Sequence, residues 1–210
     1  MKYKVMIVED QTMPRQLFEL RVQSSERFEV AISIDNAAMA DINCLKYPVD
    51  LILMDVITRN GESWLDAAAR IMRAFPKIRI VIVTSMPEYS YLSRARAIGV
   101  ESFWYKEGQR ESLMEIMERT MNGESIYPDA TPELRLGLAS SYDFTERELE
   151  VLREMTGGDT NQEIAERLHM SVATVKTHIL NMLGKTGFRN RTELAVRARE
   201  SGLVILDRKT

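Results

Sequence analysis

Asp55 closes a run of apolar residues, LILMD, and an aspartate at such an end is placed to act as a nucleophile. Three other apolar runs end in residues that such a nucleophile needs. VMIVED finishes on Glu9 and Asp10, IVIVTS carries Thr84, and SFWYK finishes on Lys106. Carboxylates crowded together repel one another and attract a hard, oxygen-liganded divalent cation such as Mg2+. A hydroxyl and an ammonium group suit the negative oxygens of a phosphoryl group in transfer. The expected chemistry is attack by Asp55 on phosphorus to give an acyl phosphate, with Thr84 and Lys106 on the phosphoryl oxygens. Taken singly, a strand-terminal aspartate is usually a helix cap and a lone threonine or lysine is usually solvated. Their recurrence at four run ends is what sets them apart.

These runs alternate with stretches of helical period, which fixes what must position them. KYKVMIV, FEVAISI, DLILMD, IRIVIVTS and VESFWY read as strands. Helices are expected near 14–23, 36–46, 63–75, 88–98 and 110–121. Strict alternation implies a parallel sheet covered on both faces, and right-handed crossovers make it doubly wound. Such a five-stranded α/β sheet takes its ligands beyond the carboxyl ends of its strands, where the five residues would gather.

The chain has 210 residues, 45% of them hydrophobic, enough for one or two domains with buried cores. It carries no apolar stretch of the roughly 20 residues that a membrane-crossing helix needs. Its start runs straight into a strand pattern, so a cytoplasmic location without a membrane partner is expected. Cys44 is the sole cysteine and His169 and His178 are the only histidines, which leaves carboxylates as the natural metal ligands.

The net charge of -3 hides a segregation along the chain. Between Asp143 and Glu166 there are eight acidic residues and two basic ones. From Arg167 to Arg199 seven basic residues, Arg167, Lys176, Lys185, Arg189, Arg191, Arg197 and Arg199, face Glu193 alone. A local cationic surface of this kind suits a polyanion.

Residues 122–142, with two prolines and two glycines, read as a linker in which LRLGL could add a turn of helix. Beyond it four helices are signalled by their caps: Thr145 with Glu148, Thr160 with Glu163, Ser171, and Asn190 with Glu193. Two of them, 160–168 and 171–186, are joined by His169 and Met170, the spacing of a helix-turn-helix. On the second, Val172, Val175, Ile179, Met182 and Leu183 form the core stripe. Ala173, Thr174, Thr177, Leu180, Asn181 and Gly184 face outward, a surface of small residues able to enter a major groove. Leu194, Val196 and Ala198 mark the last helix as a candidate dimer face.

On these motifs, residues 2–121 resemble the flavodoxin-like receiver domain of two-component response regulators, and 143–204 resemble the DNA-binding domain of the LuxR/NarL/FixJ class. The resemblance implies a phosphoacceptor domain over 1–121, a linker over 122–142 and a four-helix DNA-binding domain over 143–210. It implies phosphorylation of Asp55 by a histidine kinase, Mg2+ bound by Glu9, Asp10, Asp55 and the carbonyl of Ile57, and Thr84 and Lys106 on the phosphoryl group. Phe103 takes the place of a switch aromatic, enlarged by Trp104 and Tyr105. Lys176 and Thr177 are expected near base edges, and Asn161, Thr174, Lys185 and Arg189 near phosphates, in a homodimer reading two half-sites of double-stranded DNA. Two features depart from the pattern. The loop after Asp55 reads DVITRNGESW, with Gly61 earlier than usual and no proline, and Leu180 stands where relatives are often basic or polar.

Two other readings share the residues. One is a DNA-binding regulator that works without phosphorylation through an atypical receiver. The other is an aspartate-nucleophile phosphatase. The phosphatase reading is disfavoured by the sequence EDQT where an Asp-x-Asp motif would start, and by the second domain, so no enzyme turnover is expected.

Overall fold

The computed structural model describes residues 2–56, 63–106 and 111–204. The chain divides into two compact units, one formed by 2–85 with 90–130 and the other by 86–89 with 131–204.

In the first unit β1 (Tyr3–Val8), β2 (Phe28–Ile34), β3 (Leu51–Met54), β4 (Arg79–Thr84) and β5 (Ser102–Tyr105) form one parallel sheet in the order β2-β1-β3-β4-β5. Its inner strands are apolar where both faces are covered: Val5 to Val8, Leu51 to Met54 and Ile80 to Val83 are all buried. On one face Phe18 and Val22 of α1 (Thr12–Gln23) and Leu113, Ile116 and Met117 of α5 (Leu113–Met121) pack on Val5, Ile7, Leu51, Leu53, Val81 and Val83. Alternation along a strand sends the next residues to the opposite face. There α2 (Ala40–Lys46), α3 (Trp64–Ala74) and α4 (Tyr91–Ile98) lie side by side, burying Ala40, Ala67, Ala68, Ile71 and Ala95. The chain leaves β1 toward β2 on one side and reaches β3 on the other, so the crevice of the sheet opens at the carboxyl ends of β1 and β3.

The stretch 122–142 carries more structure than a linker composition suggests. Ile126 bridges Ser102 in parallel, its carbonyl accepts the N–H of Phe103 at 2.8 Å, and its own N–H reaches Ser102 Oγ at 3.2 Å. The outer edge of β5 is thereby capped, where an open edge would invite pairing with another chain. LRLGL makes no helix. Arg135–Leu136 (β6) and Ala139–Ser140 (β7) form an antiparallel hairpin around Gly137, whose φ is +63°. A Cβ on Gly137 would lie 2.2 Å from the carbonyl oxygen of Thr186, so both the backbone conformation and the close approach require glycine.

The second unit contains α6 (Glu146–Thr156), α7 (Asn161–Arg167), α8 (Val172–Thr186) and α9 (Arg191–Ser201). Thr145 with Glu148 and Thr160 with Glu163 make full capping boxes, and Ser171 and Asn190 accept from the backbone N–H of Thr174 and Glu193. The core joins Leu149, Val151, Leu152, Met155, Ile164, Val175, Ile179 and Met182 with Leu194, Ala198 and Leu203. Full burial of a side chain of this size contributes about 1.5–3 kcal/mol. The proposed dimer face on the last helix splits accordingly. Leu194 and Ala198 are fully buried in this core, and only Val196 of the three is exposed.

Candidate phosphoacceptor site and nucleic-acid interface

Sheet register brings the ends of β1, β3, β4 and β5 level. The N–H of Asp55 bonds the carbonyl of Val8 at 2.9 Å, the N–H of Glu9 bonds Ile34, and the N–H of Lys106 bonds the carbonyl of Thr84 at 2.8 Å. The Lys106 ammonium therefore reaches back across the edge. It donates to Glu9 Oε2 at 2.6 Å and to Asp55 Oδ2 at 2.8 Å, and lies 5.6 Å from the centre of the Phe18 ring. Glu9, Asp55 and Thr84 are all buried. Burial alone would push the Lys106 ammonium down, but the charge of Asp55 and the hydrogen bonds that Lys106 donates to Asp55 and Glu9 outweigh it, and its pKa stands above the ordinary lysine value.

Lys106, Glu9 and Asp55 are thus joined directly. The other oxygen of Glu9 accepts the N–H of Gln11 at 3.0 Å, and Asp55 Oδ1 accepts the N–H of Val56 at 2.7 Å. Asp10 differs: its Oδ1 is buried without a hydrogen-bond partner among the described residues. An orphaned carboxylate oxygen is costly to bury unless a cation reaches it, and an oxygen donor of this kind suits a hard divalent ion. Among the described residues no three carboxylate, imidazole or thiolate side chains are grouped to hold a metal, and both oxygens of Glu9 are engaged, one by Lys106 and one by Gln11. Ile57, expected as a carbonyl ligand, lies outside the described residues, as does Gly61.

Phe103 is completely buried, with its ring 5.1 Å from that of Tyr105. Trp104 does not enlarge this cluster. Strand alternation sends it to the other face, against the α1 and α5 side, where its indole N–H bonds the carbonyl of Glu111 at 3.1 Å. The third member is Tyr127, stacked on Phe103 at 6.3 Å, under the Arg96 guanidinium at 4.5 Å and bonded through its hydroxyl to the Val100 carbonyl. Burial pushes the Tyr127 hydroxyl up to about 12. Nothing local in the sequence marks Tyr127, because the contact spans 24 positions of chain within the supposed linker region.

In the second unit, α7 and α8 are joined by a turn in which His169 has φ +52°. The N–H of Met170 bonds Ala165 and that of His169 bonds Glu166, the pairing of a Schellman motif with histidine at the left-handed position. Along α8, Val175, Ile179 and Met182 are buried while Ala173, Thr174, Lys176, Thr177, Leu180, Asn181 and Gly184 are exposed. The expected inner and outer faces are both present.

The cationic surplus is smaller on the molecule than in the sequence. Arg167 pairs with Glu154 and Asp159, Arg197 with Glu200, and Arg191 donates to Asn161 Oδ1 and the Asp159 carbonyl. Lys185 is held at 2.6 Å by Glu148, which is buried, and at 2.9 Å by the Asp143 carbonyl. Burial raises the Glu148 carboxyl, but Lys185 and the Thr145 cap outweigh it, so its pKa falls below the ordinary value. Of the residues expected at phosphates, Lys185 and Asn161 thus have internal partners, and Thr174 shares a hydrogen bond with Ser171. Lys176, Arg189 and Arg199 are exposed and carry no side-chain partner among the described residues.

Comparison with known proteins assigns both units. Residues 5–118 match the response regulator receiver domain, and residues 143–198 match the bacterial regulatory proteins of the luxR family. The chain is 31% identical to the response regulator protein VraR of Staphylococcus epidermidis over 97% of its own length and all of the relative's. It is 30% identical to VraR of Staphylococcus aureus over the same shares. Among solved structures, RcsB dimers bound to two parallel DNAs superpose with a TM-score of 0.63 at 18% identity, covering 95% of this chain and 98% of that one. RcsB from Salmonella enterica serovar Typhimurium, bound to promoter DNA with a phosphomimetic, gives 0.59 at 21% identity over 93% and 98%. Both share the fold. With its receiver joined to a luxR-type DNA-binding domain, the chain belongs to the two-component response regulators.

Proposed function

We propose that Asp55 accepts a phosphoryl group from a partner histidine kinase, and that the modified chain alters its grip on DNA as a homodimer. The observation that carries this is the buried contact of Lys106 with Asp55 and Glu9 at the crevice of the sheet. An Asp55 carboxylate oxygen attacks phosphorus, the bond from phosphorus to the kinase imidazole nitrogen breaks, and the imidazole leaves with the electron pair. Lys106, already charged, turns from the carboxylate oxygens to the phosphoryl oxygens, and the Thr84 hydroxyl donates to the same group. Asp10 and Asp55, with Glu9 beside them, would hold Mg2+, whose charge neutralises the phosphoryl oxygens. The chain acts in this as a phosphoacceptor of the cytoplasm, not as an enzyme with an external substrate.

On this reading residues 1–121 form the phosphoacceptor domain, 122–142 join it to the rest, and 143–210 read DNA. Movement of Thr84 and Phe103 toward the new charge relays the change. At the DNA, Lys176 and Thr177 approach base edges, and Arg189, Thr174, Asn161 and Lys185 approach phosphates, the last two by exchanging their internal partners. The way RcsB dimers engage DNA supports a dimer here.

The test is incubation of the full chain with a small phosphodonor and Mg2+, read by phosphoprotein electrophoresis and by binding to DNA selected from random duplexes. Wild type should gain one phosphoryl group and change its affinity, while Asp55→Ala should do neither. Equal affinity of phosphorylated and unphosphorylated wild type would favour the phosphorylation-independent regulator.

A further inference from the structure

Leu180 is 68% exposed on α8, on the side opposite Val175, Ile179 and Met182. A scattered exposed leucine is ordinary on a protein surface. This one stands in the middle of the outward stripe of the helix, one turn beyond Lys176 and Thr177, on the face that carries the proposed DNA contacts. Beside it Lys176 is, among the described residues, a free donor, but the hydroxyls nearby are partly engaged. The Thr177 hydroxyl donates back to the Ala173 carbonyl at 3.0 Å, and the Thr174 and Ser171 hydroxyls bond each other at 2.7 Å. A Cβ on Gly184 would meet nothing within 4 Å, so no large group shields Leu180 on that side.

We propose, building on the DNA-reading function above, that Leu180 is a specificity-determining residue that selects a thymine in each half-site. The thymine C5-methyl is the one apolar group that base edges present in the major groove. Leu180 can donate and accept no hydrogen bond. Against a G·C pair it strips water from the guanine acceptors and the cytosine amino group and returns nothing, so it rejects as well as selects. Against thymine it exchanges water for methyl contact.

The experiment uses the full chain and duplexes selected by it from a random library, with each thymine of the selected site replaced in turn by deoxyuridine, which lacks only the methyl group. One position in each half-site should weaken wild-type binding by about fourfold on loss of its methyl, the worth of one such group transferred from water. At that position Leu180→Ala should bind thymine and uracil alike, with an unchanged melting temperature, and Leu180→Lys should no longer prefer A·T there. Uniform tolerance of uracil by wild type, or the same uracil penalty in Leu180→Ala, overturns the assignment and leaves DNA reading intact. A loss of self-association in Leu180→Ala with unaltered base preference would make the residue a protein contact and overturn it equally. Failure of wild type to prefer any duplex over random DNA would overturn the DNA-reading proposal itself, and this inference with it.

Discussion

The two units carry their chemistry in opposite ways. In the receiver, groups from the ends of different strands meet in a buried crevice, where Glu9, Asp55 and Lys106 are drawn from positions up to 97 residues apart. In the luxR-type unit most of the residues proposed to meet DNA sit on one helix, α8, whose outer face is exposed to solvent, with Asn161 and Arg189 flanking it in the chain. A buried constellation must stabilise the fold and do chemistry with the same side chains. Most of the surface stripe is free of that double duty, because the core is made by the other face of the helix; Lys185, held by the buried Glu148, is the exception. Substitutions in the first should therefore change stability and function together, whereas those in the second should separate them.

The largest expected effect is at Lys106. Lys106→Met leaves two buried carboxylates facing each other without a cation, and breaking a buried pair on one side costs about 3–5 kcal/mol. Denaturant unfolding should show a loss of that order, partly restored by Mg2+. No loss would mean that the crevice is wetter than the contacts indicate. Next comes Gly137→Ala, expected to cost about 2–4 kcal/mol because the added Cβ collides with the Thr186 carbonyl in a left-handed turn. This one tests whether the hairpin is built into the unit or merely lies on it.

A smaller effect concerns Lys185 and Glu148. The Glu148 carboxyl is held below its ordinary value of 4.5, so its contribution is present above that pH and is lost as pH falls through the lower folded value. Acid unfolding of wild type should steepen below about pH 4.5. Lys185→Met should be about 1–2 kcal/mol less stable at pH 7 and show a weaker acid dependence. The smallest is His169→Gly, which relieves a left-handed histidine and should stabilise the second unit by about 0.5–1 kcal/mol. An exposed α8 variant such as Leu180→Ala serves as the control, with stability within about 0.5 kcal/mol of wild type.

The same contrast explains what the sequence revealed. The stripes of α8 were legible because a helix places neighbours in the chain on one face, so Val175, Ile179 and Met182 could be separated from Thr177 and Leu180 by period alone. The meeting of Glu9, Asp55 and Lys106 was legible for a different reason: parallel strands of similar length end level, and these residues stand where apolar runs stop. What stayed hidden depends on contacts between segments. Which carboxylates Lys106 would choose, the stacking of Tyr127 on Phe103, and the spending of Arg191 and Lys185 on internal partners leave no local mark. The opposite placement of Trp104 and Phe103 was readable from strand alternation. The LRLGL hairpin was hidden because a two-residue strand is too short to show a period.

If the Lys106-bound Asp55 is the phosphoacceptor, its modification should be felt at the DNA. The direct measurement is DNA affinity of the full chain, wild type and Asp55→Ala, before and after treatment with a small phosphodonor and Mg2+. Wild type should carry one phosphoryl group and change its affinity, and Asp55→Ala should be unlabelled and unresponsive. A phosphoryl group appearing on Asp55→Ala, or an equal response of both proteins, would contradict that role for Asp55.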